Sequence, residues 1–177
     1  VEHTVTEEVT GIDLVKTQLR IAGGETLKDL GLSQDRVPAP RGYAIQLRVN
    51  METMDAAGHA KPAGGTIAVY EPPSGPGIRI DGFGYAGYRT SPNFDSLLAK
   101  VIAHSPSATY ADALARATRA LSEFRIEGVA TNLPFLRVLL ANEAVARNDV
   151  HTRYVEEHMA ELAGASAAPA RFFAEAA

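Results

Sequence analysis

Residues 41–50 read RGYAIQLRVN. Tyr43, Ile45, Leu47 and Val49 alternate with Ala44, Gln46, Arg48 and Asn50. Side chains on a strand point to opposite faces in turn, so the alternation predicts a strand with one apolar and one polar face. Downstream, residues 51–65 are rich in Gly, Ala and Pro and read as a loop. Short strands are predicted near 66–71 and 77–81, separated by the turn sequence PPSGPG. Three strands joined by short connections imply an antiparallel sheet. Upstream, residues 25–41 form a connector marked by Pro38 and Pro40. Before it, Ile12, Val15, Leu19 and Ala22 recur at helical spacing and stop at Gly23-Gly24. Thr10, three residues ahead of Asp13, suggests a capping-box start for that helix.

The second half reads as helical. After Pro92, the stripe Phe94, Leu97, Leu98, Val101 and Ile102 predicts a first helix. Tyr110, Leu114, Ala117, Leu121 and Phe124 predict a second, closed by Gly128. A third starts near Asn132 with Pro134 in its first turn, and a fourth runs from about Asp149 to Leu162. The tail GASAAPARFFAEAA reads as a linker. The fold class is therefore α+β, a small antiparallel sheet packed with C-terminal helices.

Composition narrows the chemistry. The 177 residues carry a net charge of −4, so nothing draws the chain electrostatically to nucleic acid or to an acidic membrane surface. With no cysteine, a disulfide framework, a thiolate metal site and a cysteine nucleophile are excluded. No apolar run approaches the roughly 20 residues of a membrane span, and no signal peptide is visible. The chain opens on Val1 in VEHTVTEEV, which reads as the interior of a longer sequence.

Few motifs survive scrutiny. Gly82, Gly84 and Gly87 spell G-x-G-x-x-G in GFGYAG, but Tyr88-Arg89-Thr90-Ser91-Pro92 follows instead of the helix start that a phosphate loop requires. Glycines bending a strand are the better account. His151 and His158 are seven apart around Glu156 and Glu157, which favours a solvated helix face over a metal site, and no metal is expected. Glu7-Glu8 reads as a solvated pair. Arg48 is the most informative position. On a strand its guanidinium is a preorganised anion contact; pattern alone favours a solvated strand arginine paired with an acid.

Four blocks, VEHTVTEEVTGIDLVKTQLRIAGGETL, RGYAIQLRVN, PGIRIDGFGYAGYRTSPNFDSLLAKVIAH and RALSEFRIEGVATNLPFL, resemble in order the C-terminal third of biotin carboxylases, from Val1 to about Glu157. The resemblance implies that residues 1–40 close an ATP-grasp domain and its connector, that 41–163 form the C-terminal domain, and that 164–177 are a linker. It implies an ATP-dependent ligase that activates bicarbonate as carboxyphosphate and delivers CO₂ to N1 of biotin on a separate carrier. Glu2, the acid of the VEH motif, would take the proton from bicarbonate, with the Val1 backbone helping to hold the anion. Arg48 would contact bicarbonate and stabilise the biotin enolate, which reverses the pattern-only reading. Arg79 falls where some members make a dimer contact, and Asp95 lies in the same region as an interface or supporting residue.

Residues 52–64 depart from the family's acid-Pro pattern after the strand. The sites for ATP and Mg are expected mostly upstream of Val1, leaving the isolated chain inactive. The implied partners are the ATP-grasp half, a biotin carrier domain, a carboxyltransferase domain and further copies of the chain, with no nucleic acid or membrane. The helical blocks look closer to the multidomain pyruvate and acyl-CoA carboxylases than to the separate bacterial subunit. The implied compartment is the cytoplasm, or the mitochondrial matrix in a eukaryote. The alternative is a dimerisation or scaffold module without chemistry of its own.

Overall fold

A computed structural model describes residues 3–55, 57–91 and 93–164. The framework is a three-stranded antiparallel sheet of β1 (Tyr43–Asn50), β6 (Leu97–Ser105) and β5 (Ile78–Gly82), with β6 in the middle. The strand expected at residues 42–50 is β1. The helix expected after Pro92 is instead β6, and the reason is burial. Leu98, Ala99, Val101, Ile102 and Ala103 are all fully buried, so both faces of the strand are covered. A strand covered on both faces loses its alternation, and its apolar run then fits a helical stripe as well as an extended one.

Register sorts the sheet into two faces. Rows Ile45–Ala103–Ile78, Leu47–Val101–Ile80 and Val49–Ala99–Gly82 make one face. That face packs on α3 (Tyr110–Glu123) and α4 (Leu133–Ala141) in a single core with Leu121, Phe124, Leu136 and Leu140. Ala113, Ala117 and Ala120 form the buried stripe of α3, and small side chains let the helix axis approach the sheet closely. Arg137 of α4 donates twice to the Leu121 carbonyl, at 2.7 and 3.0 Å, and so helps to satisfy the C-terminal end of α3. Burial pushes its guanidinium pKa down from the ordinary arginine value.

Smaller pairs surround this core. The segment expected as a loop contains a hairpin of β2 (Glu52–Met54) and β3 (Ala60–Pro62). β4 (Val69–Glu71) pairs not with the main sheet but with β7 (Arg125–Glu127), which immediately follows α3. Tyr70 of β4 meets Phe124 edge-to-face at 5.4 Å, joining this ribbon to the core. The single fourth helix is instead interrupted. α5 (Glu143–Ala146), α6 (Tyr154–Glu157) and α7 (Met159–Gly164) are short, with Asn148 left-handed at φ 56° between the first two.

At the N-terminal end, α1 (Thr4–Thr10) precedes α2 (Leu14–Ala22). Thr10 therefore ends one helix rather than capping the next. Asp13 is the cap of α2 and accepts from the Lys16 N–H at 2.8 Å. None of the α2 side chains is buried; Leu19 is 70% exposed and Val15 and Ile21 are also open to solvent. Among the described residues no helix is long and apolar enough to cross a membrane.

Candidate functional site

The second face of the sheet is polar. Its rows are Gln46–Ile102–Arg79 and Arg48–Lys100–Asp81. α1 covers part of it, and the buried Thr4 hydroxyl donates to Gln46 Oε1. Arg48 and Lys100 stand directly opposite each other. Like charges in that position repel, so the pair favours an acid or an anion above it. Asp95 supplies one acid, with a carboxylate oxygen 3.8 Å from Arg48 Nη2, while the Arg48 side chain stays 44% exposed. Asp95 is itself held by the Leu97 N–H at 2.9 Å. A guanidinium fixed on a strand and reachable from solvent can bind and orient a small oxyanion.

The end of β1 is braced on two sides. Ser96 Oγ and Asn50 Nδ2 both donate to the Glu52 carboxylate at 2.9 Å, and the Met51 N–H donates to Ser96 O at 2.8 Å. From the other side, Asn132 ahead of α4 reaches the β1 backbone. Its Nδ2 donates to Arg48 O at 3.1 Å and its Oδ1 accepts from the Asn50 N–H at 2.9 Å. In the sequence Asn132 reads only as a helix start; its 82- and 84-residue separation from these partners leaves no local signal.

Arg79 lies elsewhere on the same face and is engaged within the chain. It forks onto Asp81 at 2.7 and 2.8 Å and reaches Glu7 at 2.7 Å and Glu8 at 3.4 Å. This charge network, led by hydrogen bonds from Asp81, raises the Arg79 pKa further above its ordinary value. The Glu7 side chain is only 9% exposed and also accepts from the Leu14 N–H at 2.9 Å. Glu7 is therefore a buried strut joining α1, α2 and β5, not half of a solvated pair. Beside it opens a cleft of about 690 Å³ lined by His3, Glu8, Asp13, Arg41 and His104.

Val1 and Glu2, the other expected site residues, lie outside the described residues, as do residues 165–177 of the expected linker. Gly82 and Gly84 of GFGYAG serve packing, while Gly87 supplies a left-handed turn at φ 91°. A Cβ on Gly84 would lie 2.5 Å from the Tyr70 ring and one on Gly82 would lie 2.9 Å from Ala99 Cβ, and a turn rather than a helix follows. His158 stacks on Tyr154 at 4.1 Å, while His151 lies 3.6 Å from Glu157. Among the described residues no group of three or more His, Asp or Glu side chains is arranged to hold a metal ion.

Comparison with known proteins bears on this face. Residues 46–157 match the biotin carboxylase C-terminal domain family, and residues 1–30 match the ATP-binding domain of the carbamoyl-phosphate synthase L chain. Pyruvate carboxylase of Aspergillus terreus is 44% identical over 158 residues, which is 89% of this chain and 13% of that protein. The biotin-dependent acyl-coenzyme A carboxylase alpha3 subunit of Mycobacterium leprae is 46% identical over 160 residues, 88% of this chain and 25% of that subunit. A solved single-chain, multi-domain long-chain acyl-CoA carboxylase superposes with a TM-score of 0.86 at 47% identity, over 98% of this chain and 19% of that one. The chain thus spans between an eighth and a quarter of the curated relatives it matches.

Proposed function

The chain belongs to the biotin carboxylase family, a family of ATP-dependent carboxylases, and from that membership we propose that it supplies the bicarbonate- and biotin-facing wall of a biotin carboxylase active site. The observation that carries the reading is Arg48. It sits on a braced strand, beside Lys100 and Asp95, with its guanidinium open to solvent.

Arg48 holds the bicarbonate oxygens through two N–H donors, and the adjacent Lys100 adds positive potential on the same face. When the acceptor nitrogen gives its proton to the phosphate left as carboxyphosphate releases CO₂, negative charge develops on the neighbouring ureido oxygen and Arg48 stabilises it, before the nitrogen attacks CO₂ and the charge passes to the new carboxylate. Because the strand is already ordered, little reorganisation is required at that moment. Asp95 limits the rotamers open to Arg48 without covering it. Biotin, brought by a carrier domain, supplies the accepting nitrogen. Glu2 serves as the base that takes the bicarbonate proton, and the Val1 backbone helps to hold the anion. The one G-x-G-x-x-G segment among the described residues is not a phosphate loop: it is packed by Tyr70 and opens no helix. The ligase reaction needs the ATP-grasp half with its Mg, beside a carrier, a carboxyltransferase domain and further copies of the chain. The exposed stripe of α2 packs against that half.

The test is ATP cleavage dependent on bicarbonate and biotin, measured for these 177 residues alone and joined to an ATP-grasp half. Turnover is expected only from the joined protein, and Arg48→Ala should lower it by roughly two orders of magnitude or more, the scale of losing one preorganised donor to a developing oxyanion. Near-normal turnover of folded Arg48→Ala would overturn the role of Arg48. Turnover by the isolated chain would overturn the division of labour.

A further inference from the structure

β1 is an edge strand. β6 occupies one side of it, and alternate residues of β1 turn their N–H and C=O groups to the other side. Arg48 O and the Asn50 N–H are two such groups, and both bond the Asn132 side-chain amide. The Asn132 N–H also donates to Asn50 O at 3.1 Å. One residue thus mimics a neighbouring strand for three backbone groups, on Arg48 and Asn50. The location matters because the β1–β6 ladder slips here: Val49 pairs with Ala99, but Asn50 pairs with Leu97. A register slip removes regular pairing and lets a strand twist. Without another restraint, the Arg48 Cα–Cβ direction would be loosest where the side chain must be held. Asn132 is only 8% exposed, so its amide groups would have to find new partners if these bonds broke.

We propose that Asn132 is a positioning residue for Arg48: its amide clamps the open edge of β1 across Arg48–Asn50 and so fixes where the guanidinium presents to the anion. The proposal rests on the reading of Arg48 given above. Asn132 touches no reacting atom; it acts through the strand.

The experiment uses the complete biotin carboxylase carrying this chain. In Asn132→Ala both side-chain bonds are lost. In Asn132→Asp the acceptor for the Asn50 N–H is kept and the donor to Arg48 O is lost, while an acid ahead of α4 favours the helix dipole and offsets part of the cost to folding. The expected result is a fall in kcat for biotin carboxylation of roughly 10-fold or more in both variants, as for a small misplacement of a catalytic group. The KM for ATP should change less than about twofold, and the Asn50 amide should exchange with solvent at least about tenfold faster in Asn132→Ala. Each substitution is then repeated with Arg48→Ala. Coupled residues are non-additive, so in that background the further loss should be less than about twofold.

Equal losses with and without Arg48 would make Asn132 a general structural residue and overturn the proposal. So would unchanged kcat in Asn132→Asp, or unchanged exchange at Asn50. Near-normal turnover in Arg48→Ala alone is a different failure: it removes the role of Arg48, and the proposal with it.

Discussion

Replacing Arg79 by Ala removes the hub of the α1–β5 network. The partners are unequal. Asp81 and Glu8 are about a third and a quarter exposed on their side chains, so water replaces much of what Arg79 gives them. Such solvated pairs contribute about 0–1 kcal/mol. Glu7 differs because its side chain is 9% exposed, and a hydrogen bond to a charged group is worth about 1.5–3 kcal/mol. The expected destabilisation is about 2–4 kcal/mol, dominated by Glu7. At this chain length that corresponds to a fall in Tm of about 5–15 °C. Thermal unfolding of the 177-residue chain, followed by circular dichroism, measures it.

Two companions test the cause of that loss. Arg125 also contacts two acids, Glu127 and Glu71, but all three side chains are at least half exposed, so Arg125→Ala should cost less than about 0.5 kcal/mol. Glu7→Gln keeps an acceptor for the Leu14 N–H while removing the stranded charge, so in the Arg79→Ala background it should restore more than half of the loss. If Arg79→Ala falls no further than Arg125→Ala, or if Glu7→Gln restores nothing, the buried-carboxylate argument is wrong.

Other outcomes follow from the same packing. Leu121→Ala, at a fully buried position of α3, should cost about 2–5 kcal/mol, whereas Leu19→Ala on open α2 should stay within about 0.5 kcal/mol by chemical denaturation. Gly42→Ala should destabilise the chain by more than about 2 kcal/mol, because φ is +69° and the new Cβ would lie 1.9 Å from Ser105 O; the urea midpoint reads this. Hydroxyls of Ser107 and Thr109 hold the Asp112 carboxyl below its ordinary value. A depressed folded pKa gives stability that is present above the unfolded value, about 3.9, and is lost as pH falls through the folded one. Asp112→Asn should therefore flatten the dependence of Tm on pH below about 4, and an unchanged slope would refute the assignment.

How legible the chain was depends on where each signal lives. β1 shows its alternation because one face meets apolar helices and the other carries Gln46 and Arg48. α3 shows its period because one side of it stays in water. β6 does neither: with both faces covered, its apolar run carries no period to separate strand from helix. β7 and the β2–β3 hairpin are three-residue elements, too short for any pattern, and they exist through pairing with distant or exposed partners. Glu7 looked solvated because neighbouring acids usually are; only the approach of Arg79, 72 residues away, makes it a strut.

The family blocks in residues 1–157 and the position of Arg48 on a half-polar strand were determined by sequence alone, since both depend on residue order and local alternation. The surroundings of Arg48 come from the packing of distant segments. Lys100 beside it and Asp95 facing it come from β6 and the turn just before it, and Asn132 behind its backbone comes from the start of α4. Hydrogen bonds and ion pairs act over a few ångströms of space whatever the distance along the chain, so these neighbours become visible only once β6 is threaded between β1 and β5 and α4 is packed against the sheet edge.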